Sequence, residues 1–500
     1  MNELTAAPAI FIHLARNLDE MTRGADVAGE ICQLVATGRF ARRKRAHVAE
    51  YVIYDGCKTC TVLVGNCDSC WLRRKVMESP APHRRYLPRL ADTILSSRLN
   101  AMGAVLIEGL KACGKTATAR QLAVSEVLLD SDPNAVWRAE LDPRLLLDGD
   151  TPRLLDEWQR TPQLWDAVRR AVDDRGLPGQ FILTGSAMPR DDIPRHSGAG
   201  RFSIVRMRTM TLTEKQATTP TASVVDFLQG VAPVPANCIL QARDYLHHIT
   251  VGGWPALVGA DEATARTFLE GYLDVIIDHD IDEVSGAARN PRLVRRFLHA
   301  YAQLVSQPAN VSTILKRARG DAGDELNSPS RYVAEPYLDA LRRMGIVDEV
   351  PAWNPSVRSS KRLITTPKRH LGDPSLAASL LQMSPERMLN DLETTGFLFE
   401  SLVAHDLRIF AEATGASFFH YREAEGRLEV DYILETRDGD WVGVEVKLGE
   451  PEIDKAAASL MRLAARVSRP PRSLVVVTGT SLAYTRDDGV HVIPLGCLGP

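Results

Sequence analysis

What this 500-residue sequence lacks narrows the field first. No apolar run approaches the roughly 20 residues needed to span a bilayer, so no membrane partner is expected. Cysteine is scarce: there are 8, which excludes a disulfide-stapled scaffold. The start, Met1-Asn2-Glu3-Leu4, has no basic n-region of a signal peptide, and a cytoplasmic location is expected. Neither sign of charge dominates: 60 Lys+Arg against 63 Asp+Glu leave −3. That excludes a chain basic throughout but is compatible with a local basic patch. Fixed-period repeats are missing, which excludes solenoids and propellers. Long Pro/Gly/Ser linkers are missing too, so packed rather than tethered domains are expected.

What is present is ordinary globular material, 45% hydrophobic and 25% charged, long enough for about three domains. Residues 1–76 stand apart, with basic runs at Arg42–Arg45 and Arg73–Lys75 around a cysteine cluster. From Tyr86 to about Glu214, apolar runs and amphipathic stretches alternate as in a parallel α/β domain. Residues 215–285 read as mostly helical, and residues 286–375 as helices followed by short strands. After Pro374 come a helix around Gly396–Phe410, a hairpin, another helix and a last strand.

Ala104-Val105-Leu106-Ile107 suits a buried strand, and it leads into Gly109-Leu110-Lys111-Ala112-Cys113-Gly114-Lys115-Thr116. This is the complete pattern G-x-x-x-x-G-K-[ST], a loop whose backbone N–H groups curl around phosphate. Gly109, Cys113, Gly114, Lys115 and Thr116 are therefore candidate ATP-binding residues. Lys115 would reach the β- and γ-phosphates, and Thr116 would ligate Mg²⁺. A helix is predicted from Thr116 to Val124. Some forty residues on, Arg153-Leu154-Leu155 ends in Asp156-Glu157, at the carboxyl end of a strand where parallel-sheet enzymes place their chemistry. Asp156 is the candidate Mg²⁺ holder, and Glu157 the residue that polarises the attacking water. Phe181-Ile182-Leu183 then ends in Thr184-Gly185-Ser186, whose hydroxyls at Thr184 and Ser186 would sit beside the γ-phosphate.

Leu155–Gln159, Leu183–Ser186, His196-Ser197-Gly198-Ala199-Gly200-Arg201 and Gly252-Gly253-Trp254-Pro255, in that order, resemble a prokaryotic family of AAA-type ATP-binding proteins with a C-terminal domain of unknown function. The resemblance covers roughly residues 85–500. It implies an α/β fold: a P-loop AAA-like ATPase core (85–215), a helical lid (216–285), a winged-helix-like middle domain (286–375) and a restriction-endonuclease-like domain (376–500). Leu110 stands where many members have proline, which bears on loop stiffness more than on phosphate chemistry. The resemblance also places Arg201 where an arginine finger or sensor could lie; the alternative is a surface arginine after a Gly-rich turn.

In the last domain, Leu428–Leu434 and Trp441–Leu448 flank an Asp438-Gly439 turn signal, which sets Asp431 opposite Glu445. Alternation puts Glu445 and Lys447 on one face. In restriction-endonuclease-like enzymes such an Asp…Glu-x-Lys cluster holds Mg²⁺ while the lysine activates water or steadies phosphate. Glu400 is a further candidate ligand. The alternative is the solvated face of a hairpin.

Residues 351–372 carry Arg358, Lys361, Arg362, Lys368, Arg369 and His370 without an acidic residue. A basic hairpin after a helix pair is a candidate DNA-binding surface, with a solvated loop as the alternative. Cys57, Cys60, Cys67 and Cys70 are spaced as candidate Zn²⁺ ligands in an N-terminal extension, residues 1–84. Those residues lie outside the resemblance, and Met77 offers an alternative start. Together these features predict an Mg²⁺-dependent ATPase coupled to a nuclease-like module acting on or near nucleic acid. The alternative is a slow switch that binds a protein partner and has an inactive C-terminal domain. Nothing in the sequence sets the oligomeric state.

Overall fold

The computed structural model describes residues 49–55, 58–64, 85–185, 197–285, 290–319, 331–355, 366–423 and 426–500. The chain forms two units, Met1–Arg84 and Arg85–Pro500. In the first, β1 (Ala49–Asp55) and β2 (Lys58–Val64) pair antiparallel, closing at Asp55 and Lys58.

The second unit opens with the helix Leu90–Ala101 and the strands β3 (Ala104–Gly109), β4 (Ser125–Leu128), β5 (Arg153–Asp156), β6 (Phe181–Gly185) and β7 (Phe202–Met207). They form one parallel sheet ordered β4-β5-β6-β3-β7. Strands covered on both faces should be apolar runs rather than alternating ones. Ala104–Ile107 and Phe181–Leu183 are such runs, and every one of these residues is buried. The helix Leu164–Arg175 covers one face; its Trp165 stacks on Phe202 with ring centroids 3.9 Å apart. All the carboxyl ends point the same way, so the loops after β3, β5 and β6 share one edge.

β8 (Ala222–Ser223) and β9 (Ala236–Asn237) follow, ahead of the helices Ala242–Val251 and Glu262–Val275. Three further helices, Pro291–Ala302, Val311–Arg319 and Arg331–Arg343, precede the antiparallel pair β10 (Val347–Val350) and β11 (Lys368–Leu371). The helix Leu392–Thr414 is capped by Asp391, which accepts from the Thr394 N–H, and it ends at Gly415 in the left-handed region (φ 75°). It is buried on nearly every side between Thr395 and Ala411.

The last sheet comprises β12 (Ser417–Arg422), β13 (Glu429–Glu435), β14 (Trp441–Lys447), β15 (Ser473–Thr478), β16 (Leu482–Thr485) and β17 (His491–Pro494). Its order is β12-β13-β14-β15-β17-β16-β9, with β14 and β15 parallel and joined through the helix Ile453–Ala464. β18 (Leu498–Gly499) pairs with β8. Thus the span expected as a helical lid, 216–285, gives residues 236–237 to the C-terminal sheet and residues 222–223 to the separate β8–β18 pair. Both segments are extended because each pairs with a strand from the end of the chain, β9 with β16 and β8 with β18.

Candidate functional site

The loop after β3 turns on three residues with positive φ: Gly109 (150°), Ala112 (60°) and Gly114 (105°). Gly109 also passes so close to the end of β7 that a Cβ there would lie 1.9 Å from the Met207 carbonyl oxygen. The helix that follows is five residues long, Lys115–Ala119, shorter than the predicted 116–124; turns lead from it into β4. Lys115 is buried, and its ammonium donates to the carbonyls of Gly109 (3.0 Å) and Leu110 (2.8 Å).

Asp156 ends β5 beside that loop, and the register Asp156↔Thr184 sets β6's hydroxyl next to it. The Thr116 hydroxyl donates to Asp156 Oδ1 at 2.9 Å, and the Thr184 hydroxyl donates to the same oxygen. These oxygens suit a hard cation such as Mg²⁺, which takes oxygen ligands and keeps part of its water shell. Glu157 follows in the left-handed region (φ 54°), a strained setting for a residue with a Cβ. Gln159 Nε2 donates to Glu157 Oε2, a contact that sequence reasoning missed. Ser186 lies outside the described residues.

One expectation needs correction. Arg201 cannot reach a nucleotide on its own chain's loop. Its carbonyl accepts from the Ala104 N–H, at the amino end of β3, whereas the phosphate loop leaves the carboxyl end. Six residues of strand separate the two ends, about 16 Å. The Arg201 guanidinium instead pairs with Asp173 at 2.8 Å. The Cys113 thiol is fully buried and lies 3.8 Å from the Met207 carbonyl, turned into the core, while its backbone remains part of the loop.

The loop is held from outside by residues the motif does not name. Arg89 donates to the carbonyls of Cys113 (2.9 Å) and Arg208 (2.8 Å) and pairs with Glu214 (3.2 Å). Trp254 Nε1 donates to the Lys111 carbonyl at 3.2 Å, and the Lys111 ammonium lies 2.9 Å from Asp280. Gly372 lets the middle segment approach: a Cβ there would stand 2.1 Å from the Gly345 carbonyl and 3.0 Å from Leu110 Cδ1. The one sequence signal for any of these was Trp254, inside the Gly252–Pro255 motif.

A second constellation lies in the C-terminal sheet. The pair Tyr432↔Val444 brings Asp431 beside Glu445, and Asp431 Oδ2 accepts from the Val446 N–H at 2.9 Å. Lys447 Nζ is 3.1 Å from Glu445 and 3.8 Å from Asp431. Glu400 approaches from the helix Leu392–Thr414, with Tyr432 donating to it at 3.0 Å. Glu400, Asp431 and Glu445 are all buried, so this face of the hairpin is not solvated. Burial first, then the Asp431 charge, pushes the Glu400 carboxyl up to about 7; the same two causes push Glu445 well above its usual range. Lys368 Nζ lies 2.5 Å from Glu400 and 3.0 Å from Asp431, a contact sequence reasoning missed.

That contact also corrects the basic surface expected over 351–372. Lys368, Arg369 and His370 are buried at 1%, 3% and 4% exposure, because β11 packs against the C-terminal helix and sheet, so they are not available to a phosphate backbone. Arg358, Lys361 and Arg362 lie outside the described residues. So do Cys57, Cys67 and Cys70, while Cys60 stands in β2 opposite Ile53. Among the described residues no group of three or more His, Cys, Asp or Glu side chains is arranged to hold a metal ion. Among them, too, no helix is long and apolar enough to cross a membrane.

Residues 102–215 match the family model described as an AAA domain. Residues 242–387 and 395–498 match two models described as domains of unknown function, DUF8612 and DUF4143. The parallel sheet, the phosphate loop and the AAA match define a P-loop ATPase core that binds and hydrolyses ATP. The chain is similar to uncharacterised proteins of Mycobacterium bovis and Mycobacterium tuberculosis, 25% identical over 384 residues, which span 75% of this chain and 77% of theirs. Among solved structures it is similar to a Walker-type ATPase of Pyrococcus abyssi (15% identity, TM-score 0.36, 59% of this chain and 97% of that one). A STAND ATPase with a tetratricopeptide repeat sensor from Pyrococcus horikoshii follows (13% identity, TM-score 0.19, 66% and 49%). At those scores neither likeness bears on mechanism.

Proposed function

We propose that this protein is a cytoplasmic, Mg²⁺-dependent ATPase of the AAA type whose nucleotide state is coupled to a nuclease-like C-terminal module working on or near nucleic acid. The observation that carries the reading is the convergence of Lys115, Thr116, Asp156, Glu157 and Thr184 at one edge of a parallel sheet. Bound there, Mg²⁺ would neutralise phosphate charge next to Thr116 and Asp156. Lys115 would leave the loop carbonyls for the phosphates, and Glu157, aimed by Gln159, would orient the attacking water.

Coupling is supported by what grips the loop. Trp254, Asp280, Gly345 and Gly372 come from the segments proposed as lid and winged-helix-like domain, so a loop that reshapes around phosphate must move them. The helix Leu392–Thr414 extends the connection: His405 Nε2 lies 2.9 Å from the Thr209 hydroxyl, and Asp406 accepts from the Leu212 N–H at 3.0 Å.

The second reading is a slow switch that binds a protein partner, with a catalytically inactive C-terminal domain. The Lys368 ammonium among the C-terminal carboxylates favours it. Phosphate release from Mg-ATP with and without duplex DNA separates the two, with Lys115→Ala as the blank. Stimulation by DNA supports the first reading; turnover indifferent to DNA removes nucleic acid from it.

A further inference from the structure

A nuclease-type carboxylate cluster does its work by gathering a divalent cation, and the cation gathered here belongs to the protein. Lys368 is 1% exposed. Its ammonium contacts Glu400 Oε1 at 2.5 Å and Asp431 Oδ1 at 3.0 Å, and it stands 4.8 Å from the centre of the Tyr432 ring. Asp431's other oxygen is engaged by the Val446 N–H at 2.9 Å and faces Lys447 at 3.8 Å. Glu445 is held by Lys447 at 3.1 Å. Each carboxylate of the cluster thus already has a cationic partner.

A metal ion would need these same oxygens at about 2.0–2.6 Å, in company with several others. An ammonium already between Glu400 and Asp431 takes that place and repels a second cation. The donor set therefore does not fit a divalent ion while Lys368 is seated.

We propose that Lys368 is the built-in counter-ion of the cluster, a lock that keeps divalent cations out of the seat between Glu400 and Asp431. The lock comes from outside the nuclease-like segment. Lys368 opens β11, and the same short strand leads to Gly372, which packs on Leu110 of the phosphate loop. One stretch of chain therefore touches both the nucleotide site and the carboxylates. The inference rests on the nuclease-like reading of the cluster and not on ATP turnover.

The test uses the full-length protein without nucleotide, with Mn²⁺ as the probe. Bound ion is counted by the loss of the free Mn²⁺ paramagnetic resonance signal, and melting temperature is read alongside. Wild type is expected to show no Mn²⁺ site that Asp431→Asn removes. Lys368→Met gains one site and melts higher with Mn²⁺; both effects disappear in Lys368→Met/Asp431→Asn. Lys368→Arg, which keeps the charge, gains none. Should Lys368→Met fold only with Mn²⁺ present, that dependence is itself the gained site, and failure to fold even then overturns the lock. A wild-type Mn²⁺ site lost in Asp431→Asn would also overturn it while leaving the cluster's nuclease-like reading intact. A folded Lys368→Met that binds no Mn²⁺ would sink both.

Discussion

Thr116 and Asp156, forty residues apart in sequence, meet at 2.9 Å through a hydroxyl-to-carboxylate hydrogen bond. The contact joins the phosphate loop to the neighbouring strand's end and aims two oxygens at one place. Replacing Asp156 by Asn keeps the shape but removes the charge a cation would need. Asp156→Asn should therefore reduce Mg²⁺-dependent turnover by at least about tenfold, the effect of losing roughly 1.4 kcal/mol of transition-state stabilisation. A Mg²⁺ titration of phosphate release checks this; an unchanged Mg²⁺ requirement and rate would remove Asp156 from the site.

Asp348 is a second junction. Its carboxylate lies 2.8 Å from Arg208, just after β7, and 2.5 Å from Arg408 on the helix Leu392–Thr414. Although burial opposes its charge, the two guanidiniums hold it well below the usual carboxylate range. Asp348→Ala would leave the Arg408 guanidinium without its carboxylate and Arg208 with Glu412 alone (2.8 Å), and breaking a largely buried pair in this way typically costs about 3–5 kcal/mol. Urea unfolding at neutral pH should show that loss, and a change under 1 kcal/mol, on the order of an exposed pair, would contradict the account.

Much of the nucleotide site was legible because its chemistry is written locally. Gly109–Thr116 and Asp156-Glu157 are contiguous, and the strand periods around them place them at one edge. The bracing was not legible: Arg89, Trp254 and Gly372 reach the loop across long sequence separations, and no periodicity encodes such contacts. The C-terminal hairpin was readable for the same local reason, with Asp438-Gly439 fixing the register that sets Asp431 beside Glu445. Lys368 was misread as surface because six basic residues in one acid-free stretch look solvent-directed. What turns it inward is a pair of carboxylates from two other elements. For Arg201 the sequence left a finger and a surface arginine both open, because a Gly-rich turn gives no hint of which end of the sheet it closes.

Gly372 should tolerate no side chain. A Cβ would stand 2.1 Å from the Gly345 carbonyl and press on Leu110, so backbone must move. Gly372→Ala is expected to lose about 1–3 kcal/mol of stability, as overpacking usually does, and to weaken ATP binding. Denaturant melts with and without ATP read both effects; wild-type stability and affinity would show that the loop does not depend on this contact.

His248 supplies a pH signature. Burial, followed by the nearby Lys215 charge, lowers its pKa to about 3. The unfolded chain takes up the proton near pH 6.5 while the folded chain does not, so stability from this residue is present above that pH and is lost as pH falls toward 3. Between pH 7.5 and 5 the loss should be about 1–2 kcal/mol. Comparing denaturant melts of wild type and His248→Gln isolates it: the variant should lose that much less than wild type over the same interval, and parallel curves would contradict it.

The most direct test of the central claim is phosphate release from Mg-ATP by wild type, Lys115→Ala and Glu157→Gln, paired with ATP-binding measurements. The account predicts turnover in wild type. Lys115→Ala should lose both binding and turnover. Glu157→Gln should bind ATP yet turn over about 10²-fold or more slowly, the scale of losing a positioned general base. Wild-type release no faster than that of Lys115→Ala would contradict the assignment of this site as an ATPase.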